Sequence, residues 1–147
     1  DPAPTASQIE QAARLADLHQ TVSEFANGYE TLVGERGITL SGGQKQRVGL
    51  ARAMIKNAPV LIIDDTLSAV DVETEQRILS SFHETLQDKA TLIIANRISA
   101  LQDCDEILVL SEGQIIERGT HSELIKAGGF YADVAARQAA GSEGGAE

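Results

Sequence analysis

Cysteine is nearly absent from this chain, with one residue, Cys104, in 147. A single thiol excludes an internal disulfide and any Cys-rich metal site, and it fits a reducing compartment. Basic charge is also scarce. Twelve Lys and Arg stand against 22 Asp and Glu, giving a formal charge of -10 and an isoelectric point of about 4.7. A field of that sign repels nucleic-acid backbones and anionic headgroups, so no nucleic-acid partner is expected. Long apolar runs are missing too, since none approaches the roughly 20 residues of a membrane span. The polar opening Asp1-Pro2-Ala3-Pro4 has no signal-peptide character. Any membrane link is expected to come from a partner or from another part of a longer chain.

What is present suffices for a core. Hydrophobic residues make up 42% and charged residues 23%, outside the range of disordered chains. A mass of 15.6 kDa accommodates one ordinary domain or a piece of one. Each Pro of the opening pushes its predecessor out of the helical region, so residues 1–5 read as an extended lead-in. Ser7 and Glu10 have the spacing of a capping box, and Ile9, Ala12, Ala13, Ala16 and Leu18 recur near helical spacing. A second short helix is predicted over residues 21–25, ended by Asn27-Gly28, with Gly34 and Gly37 bracketing a turn at Glu35-Arg36.

From Ser41 the pattern changes. A polar residue and two Gly lead into residues 44–55, rich in helix formers, which predicts an N-capped helix. After Pro59, Val60-Leu61-Ile62-Ile63 is wholly apolar and closed by Asp64-Asp65, the pattern of a strand buried on both faces of a parallel sheet. Residues 72–86 return to helical periodicity and 91–95 read as a second buried strand, which calls for a right-handed crossover. Residues 107–110 and 114–117 flank Ser111-Glu112-Gly113 as a hairpin. Residues 122–126 and 130–138 read as helices parted by Gly128-Gly129, and 139–147 as a frayed tail.

Two carboxylates closing an apolar strand are costly unless a cation shares them, and ligands collect at the open ends of parallel strands. Asp64-Asp65 therefore reads as a magnesium-side pair, against the plainer reading of a strand leaving for solvent. Leu40-Ser41-Gly42-Gly43-Gln44 offers a hydroxyl, an open backbone and a helix N-terminus, which together suit a phosphate group. Its plainer reading is a turn.

Order and spacing choose between these readings. The LSGGQ sequence is followed by Gln46-Arg47 and Ala51-Arg52-Ala53, then the apolar strand with its Asp pair, then Ser68-Ala69-Val70-Asp71. This ensemble resembles the ATP-binding cassette (ABC) ATPases over nearly all of residues 6–138. The resemblance implies an α/β fold, an incomplete P-loop NTPase (RecA-like) core with part of the ABC α-helical subdomain. Residues 1–57 would be the partial helical subdomain with the signature helix, 58–138 the C-terminal part of the ATPase core, and 139–147 a flexible tail.

The cofactors implied are ATP and Mg²⁺. Asp64 would orient the metal through its water shell, while Ser41, Gly42, Gly43, Gln44 and Asp71 would contact nucleotide. Asp65 stands where the family has a Glu that polarises the attacking water, and Asn96 where it has a His at the γ-phosphate. Asp is one methylene shorter, and a misplacement of about 1 Å can cost roughly a hundredfold in rate. Asn neither carries charge nor shuttles a proton. A complete signature beside two altered catalytic positions resembles the degenerate half of an asymmetric pair, lending LSGGQ to its partner's site. A milder reading leaves Asp65 a competent base and only Asn96 impaired. The partners implied are a second ABC cassette, with a heterodimer favoured, and a transmembrane domain, at the cytoplasmic face of a membrane.

No Gly-x-x-x-x-Gly-Lys-Ser/Thr occurs in the 147 residues, so the phosphate-cradling loop is missing. The chain is accordingly expected to be the C-terminal part of a longer polypeptide, inactive by itself and aggregation-prone at open sheet edges. Val33-Gly34-Glu35-Arg36-Gly37 ahead of LSGGQ resembles the loop by which exporter-type cassettes meet membrane coupling helices. ATP hydrolysis coupled to solute export is therefore expected, with a cytosolic ABC-type ATPase or regulatory cassette without transport as the alternative. Other residues read structurally. Thr120 or Ser122 caps a helix, His19 and His83 are surface or satisfied polar groups, Cys104 is an inert thiol, and Phe130 and Tyr131 anchor the C-terminal helix.

Overall fold

Pro4 and the extended Thr5 set the start of the first helix in a computed structural model that describes residues 3–35, 37–85 and 88–143. The lead-in at Asp1-Pro2, Arg36 of the exporter-like loop, Leu86, the last four residues and the side chain of His83 lie outside the described residues. The chain divides into two compact units, residues 1–94 and 95–147.

In the first unit α1 spans Ala6–Leu15. Its capping box is formed by Thr5 and Gln8, two residues earlier than Ser7 and Glu10. Thr5 Oγ accepts the Gln8 N–H at 3.3 Å, and Gln8 Oε1 accepts the Thr5 N–H at 2.8 Å. Thr5 already has the extended backbone an N-cap requires, and Glu10 is engaged one turn on by Arg14 at 2.6 Å. The second helix, α2, is His19–Ser23 rather than 21–25, and a short 3₁₀ turn covers Gly28–Glu30. The signature helix α3 is Gly42–Ile55. Strand β1, Val60–Asp64, continues through α4, Val72–Thr85, into β2, Ala90–Ile94. The two strands pair in parallel, with Val60 opposite Ala90 and Asp64 opposite Ile94.

The core of this unit joins small residues of α1 (Ala12, Ala13, Ala16) to Leu50, Ala51 and Met54 of α3. Alanines let the two helices approach closely. Leu61 and Ile63 of β1 point into the same core, as do Ile78 and Phe82 of α4. The expectation of strands buried on both faces is corrected here. Burial alternates along β1, leaving Val60 57% and Ile62 62% exposed, and most of β2 is exposed, including Leu92 and Ile94. Among the described residues only one face of this two-stranded sheet is covered, so an apolar run that suits two covering layers has one.

The second unit is built on a hairpin of β3, Ile107–Ser111, and β4, Gln114–Gly119. Glu112 and Gly113 both take positive φ, 47° and 77°, the geometry that matches the twist of a two-residue hairpin loop. Helix α5, His121–Ala127, is capped by Thr120, with Glu123 closing the box. Helix α6, Phe130–Glu143, runs five residues into the stretch read as a tail, where Ala139 and Ala140 are good helix formers. Tyr131 is buried with Ile107 and Leu124, while Phe130 is 56% exposed. The anchoring expectation therefore holds for Tyr131 alone, because one step around a helix turns Phe130 away from that core. Among the described residues no helix is long and apolar enough to cross a membrane.

Candidate functional site

Ser41 has the extended backbone of an N-cap, and its side chain and that of Gln44 face each other. Ser41 Oγ accepts the Gln44 N–H at 3.2 Å, and Gln44 Oε1 accepts the Ser41 N–H at 2.8 Å. The amides of Gly42 and Gly43 begin the helix and have no partner one turn back. They form a positive helix tip of the kind that receives phosphate oxygens.

Gly43 is fixed by close approach rather than by turn geometry. A Cβ there would lie 2.7 Å from the carbonyl oxygen of Ala69, and one at Gly42 would lie 3.6 Å from the Ala69 Cβ. The LSGGQ tip is thus packed on the loop that follows β1. That loop is closed by Ser68, whose Oγ donates to the Asp65 carbonyl at 2.9 Å, and by buried Leu67 and Val70. Gly37 is fixed in the same way. A Cβ there would collide with the Leu32 carbonyl oxygen, which accepts the Ile38 N–H at 2.9 Å.

Asp64 ends β1 and Asp65 follows it, both exposed. Asp65 N–H donates to the Ile94 carbonyl at 2.9 Å, extending the parallel ladder by one bond. Its φ of +46° then turns the chain out of the sheet. A left-handed backbone at a non-glycine residue costs on the order of 1 kcal/mol and is held by surrounding structure. Neither carboxylate accepts a hydrogen bond among the described residues. Asp71 differs, because its Oδ1 accepts the Thr74 N–H at 2.9 Å and caps α4. That backbone bond, with a further bond from the Thr74 side chain, holds the Asp71 carboxyl below the usual range.

The first unit therefore brings Ser41, Gly42, Gly43 and Gln44 together with the loop that carries Asp65 and Asp71. Asn96 belongs to the second unit and is exposed. There Gln138 of α6 holds its backbone, donating to the Asn96 carbonyl at 2.7 Å and accepting the Ile98 N–H at 2.9 Å. The exposed hard-oxygen carboxylates of Asp64 and Asp65 fit a hydrated divalent cation, and the free amides of Gly42 and Gly43 fit a phosphate. Cys104 is half-buried, and burial together with Asp105 and Asp103 pushes its thiol up, in keeping with an inert side chain. His19 is satisfied by Tyr29 Oη and by Arg14, each at 2.9 Å.

Two positioning side chains are not evident in the sequence. Gln46 bonds to Ala69 across 23 positions. Asp17, with φ of +51°, ties Arg47 of α3 and Arg77 of α4 together. A glutamine three residues past Gly43, one helical turn along the same face, was the available signal for the first.

A parallel βαβ unit with carboxylates at its strand end and a capped glycine tip packed beside them defines part of a P-loop-type α/β nucleotide-binding core. A family profile described as ABC transporter matches residues 2–68. The ATP-dependent lipid A-core flippase of Aliivibrio fischeri is 47% identical over 130 residues, 88% of this chain and 22% of that protein. The ATP-binding cassette sub-family B member 6 of Xenopus tropicalis is 45% identical over 139 residues, 95% of this chain and 16% of that protein. Among solved structures, a bacterial Atm1-family ABC exporter with ATP bound matches with a TM-score of 0.82 and 42% identity, over 92% of this chain and 24% of that one. Over most of its own length the chain is similar to these ABC transporters, and it spans between 16% and 22% of the length of these two curated relatives.

Proposed function

We propose that this chain is the signature-bearing part of an exporter's ATP-binding domain, and that the complete protein couples ATP binding and hydrolysis to solute movement across a membrane. The observation that carries this reading is the packing of the Ser41-Gly42-Gly43-Gln44 tip on the 65–71 loop, in a chain whose sequence is 42% identical to that of an ATP-bound exporter. Two cassettes enclose the nucleotide in this reading. The Gly42 and Gly43 amides, with Ser41 and Gln44, face the γ-phosphate held by the partner cassette and stabilise charge as it transfers. Asp64 holds hydrated Mg²⁺, which supplies charge neutralisation at the phosphates when bound. Asp65 polarises water from a side chain one methylene short of Glu, and Asn96 offers a neutral hydrogen-bond donor. Hydrolysis at this chain's own site is then slow, and its partner is a non-identical cassette.

Leu32 and Val33 stand exposed ahead of the LSGGQ helix. In this reading a transmembrane domain carried by the same full-length chain docks near them, at the cytoplasmic face. Relatives named for lipid A-core and for iron-sulfur clusters match at the same 47% identity, so cassette similarity does not select a cargo.

The test is ATPase turnover of the complete protein purified with and without a second cassette. Turnover is expected only with both. Ser41→Ala should then lower it roughly a hundredfold, and Asp65→Asn only slightly. A homodimer turning over at a normal rate that Asp65→Asn abolishes would refute the asymmetry. Photocrosslinked nucleotide found nowhere near Ser41 in any dimeric state would refute the whole reading.

A further inference from the structure

We infer that Gln46 is a positioning residue that locks the LSGGQ tip and the loop following the Asp64-Asp65 pair into one body, so that the two parts of the site move together. This rests on the function proposed above. The geometry is specific to a carboxamide. Gln46 Oε1 accepts the Ala69 N–H at 3.0 Å, while its Nε2 donates to Ser68 Oγ at 3.1 Å and towards the Asp65 carbonyl at 3.5 Å. Turning the amide over would set its NH₂ against the Ala69 N–H and its oxygen against the Asp65 carbonyl, two like pairs, so the orientation is fixed by chemistry.

Ala69 is held from both sides of its peptide chain. Gly43 abuts its carbonyl, and Gln46 takes its N–H. Both grips come from one face of α3, three residues apart. Helix formation alone does not require glutamine here, since Lys and Glu have similar propensity. Lys lacks the acceptor that Ala69 needs, and Glu lacks the donor for Ser68 and Asp65. The loop so gripped begins at Asp65 and ends at Asp71, while the gripping helix begins at the tip assigned to the partner's nucleotide. A shift at either end is therefore passed to the other through Gln46.

The complete protein with its partner cassette is the material for the test. In Gln46→Ala, kcat should fall on the order of tenfold, with KM for ATP changed less than about twofold because no nucleotide contact is removed. Backbone amide exchange in peptides covering residues 65–71 should quicken about five- to tenfold, as for loss of one neutral hydrogen bond, while α3 peptides stay protected. Gln46→Glu keeps the acceptor, so it should restore protection of the loop and only part of kcat. The inference is overturned if Gln46→Ala leaves kcat and loop exchange unchanged, or if kcat falls only in proportion to lost folded protein. It is equally overturned if the Glu and Ala variants exchange alike in the loop. A wild-type protein without ATPase activity would instead overturn the functional reading, and loop exchange, which needs no turnover, would still judge the clamp.

Discussion

Gly43 and Gly49 occupy the same helix, yet alanine should act on them with opposite signs. At Gly49 nothing lies within 4 Å of an added Cβ, whereas at Gly43 the Ala69 carbonyl oxygen lies 2.7 Å away. A glycine in a helix interior costs about 0.5–1 kcal/mol relative to alanine. Gly49→Ala is therefore expected to stabilise by about that amount. Gly43→Ala forces a backbone shift in the loop and should destabilise by roughly 1–3 kcal/mol, the usual range for overpacking. Urea midpoints of the two variants check this, and equal shifts of one sign would contradict it. The same contrast shows what could be read from sequence at this scale. The Ser41 cap was legible because Ser and Gln stand at a local spacing with a local purpose. The Gln46 and Arg47 bonds reach 23 and 30 positions away, and no local pattern encodes such partners.

Helix ends show how elements are fixed here, and acid should loosen two of them. Asp71 caps α4, and Glu123 closes the box of α5 through the Thr120 N–H and hydroxyl. Hydrogen bonds to backbone N–H groups, with side-chain bonds second, hold both carboxyls below their ordinary values of 3.8 and 4.5. A depressed folded value means that each cap contributes fully above the ordinary value and is lost as pH falls through the lowered one. Urea midpoints should thus hold steady from neutral pH down to about pH 5 and fall as the solution becomes more acid. Glu123→Gln, which keeps an acceptor oxygen without titrating, should flatten part of that decline. A third end depends on a distant residue. Glu117 of β4 accepts the Phe130 and Tyr131 N–H groups at 2.5 and 3.0 Å, placing a carboxylate on the N-terminus of α6. Glu117→Ala should cost about 1–2 kcal/mol, and Glu117→Gln less, measured by denaturation. The hairpin and both following helices were legible from turn residues and spacing. This cap was not, because it joins elements 13 positions apart. The strands were recognised as apolar runs, but their exposed faces could not be, since periodicity reports what a strand is built to bury and not what covers it.

At the scale of the whole chain, the uncovered surfaces make one expectation. Val60, Ile62, Leu92 and Ile94 stand exposed on the parallel pair, and Leu108, Leu110, Ile115 and Ile116 on the hairpin. Patches of this kind drive association. The 147-residue chain should therefore associate with rising concentration in light scattering, and Ile62→Thr with Leu92→Thr should reduce this without loss of helical signal. Nucleotide affinity tests the larger reading. In P-loop proteins a lysine and a nest of backbone amides carry most of the contacts to the triphosphate. This chain has no such sequence. It keeps the Gly42 and Gly43 amides, which face another cassette's nucleotide in the proposed pair, and two carboxylates that repel a triphosphate unless a cation intervenes. A formal charge of -10 opposes binding further. MgATP should accordingly bind the 147-residue chain with Kd above about 1 mM, weaker than roughly -4 kcal/mol. Calorimetry decides the matter. Micromolar affinity in this chain alone would mean that the phosphates are held by residues other than a Walker-type loop, and the division of labour between two cassettes would have to be abandoned.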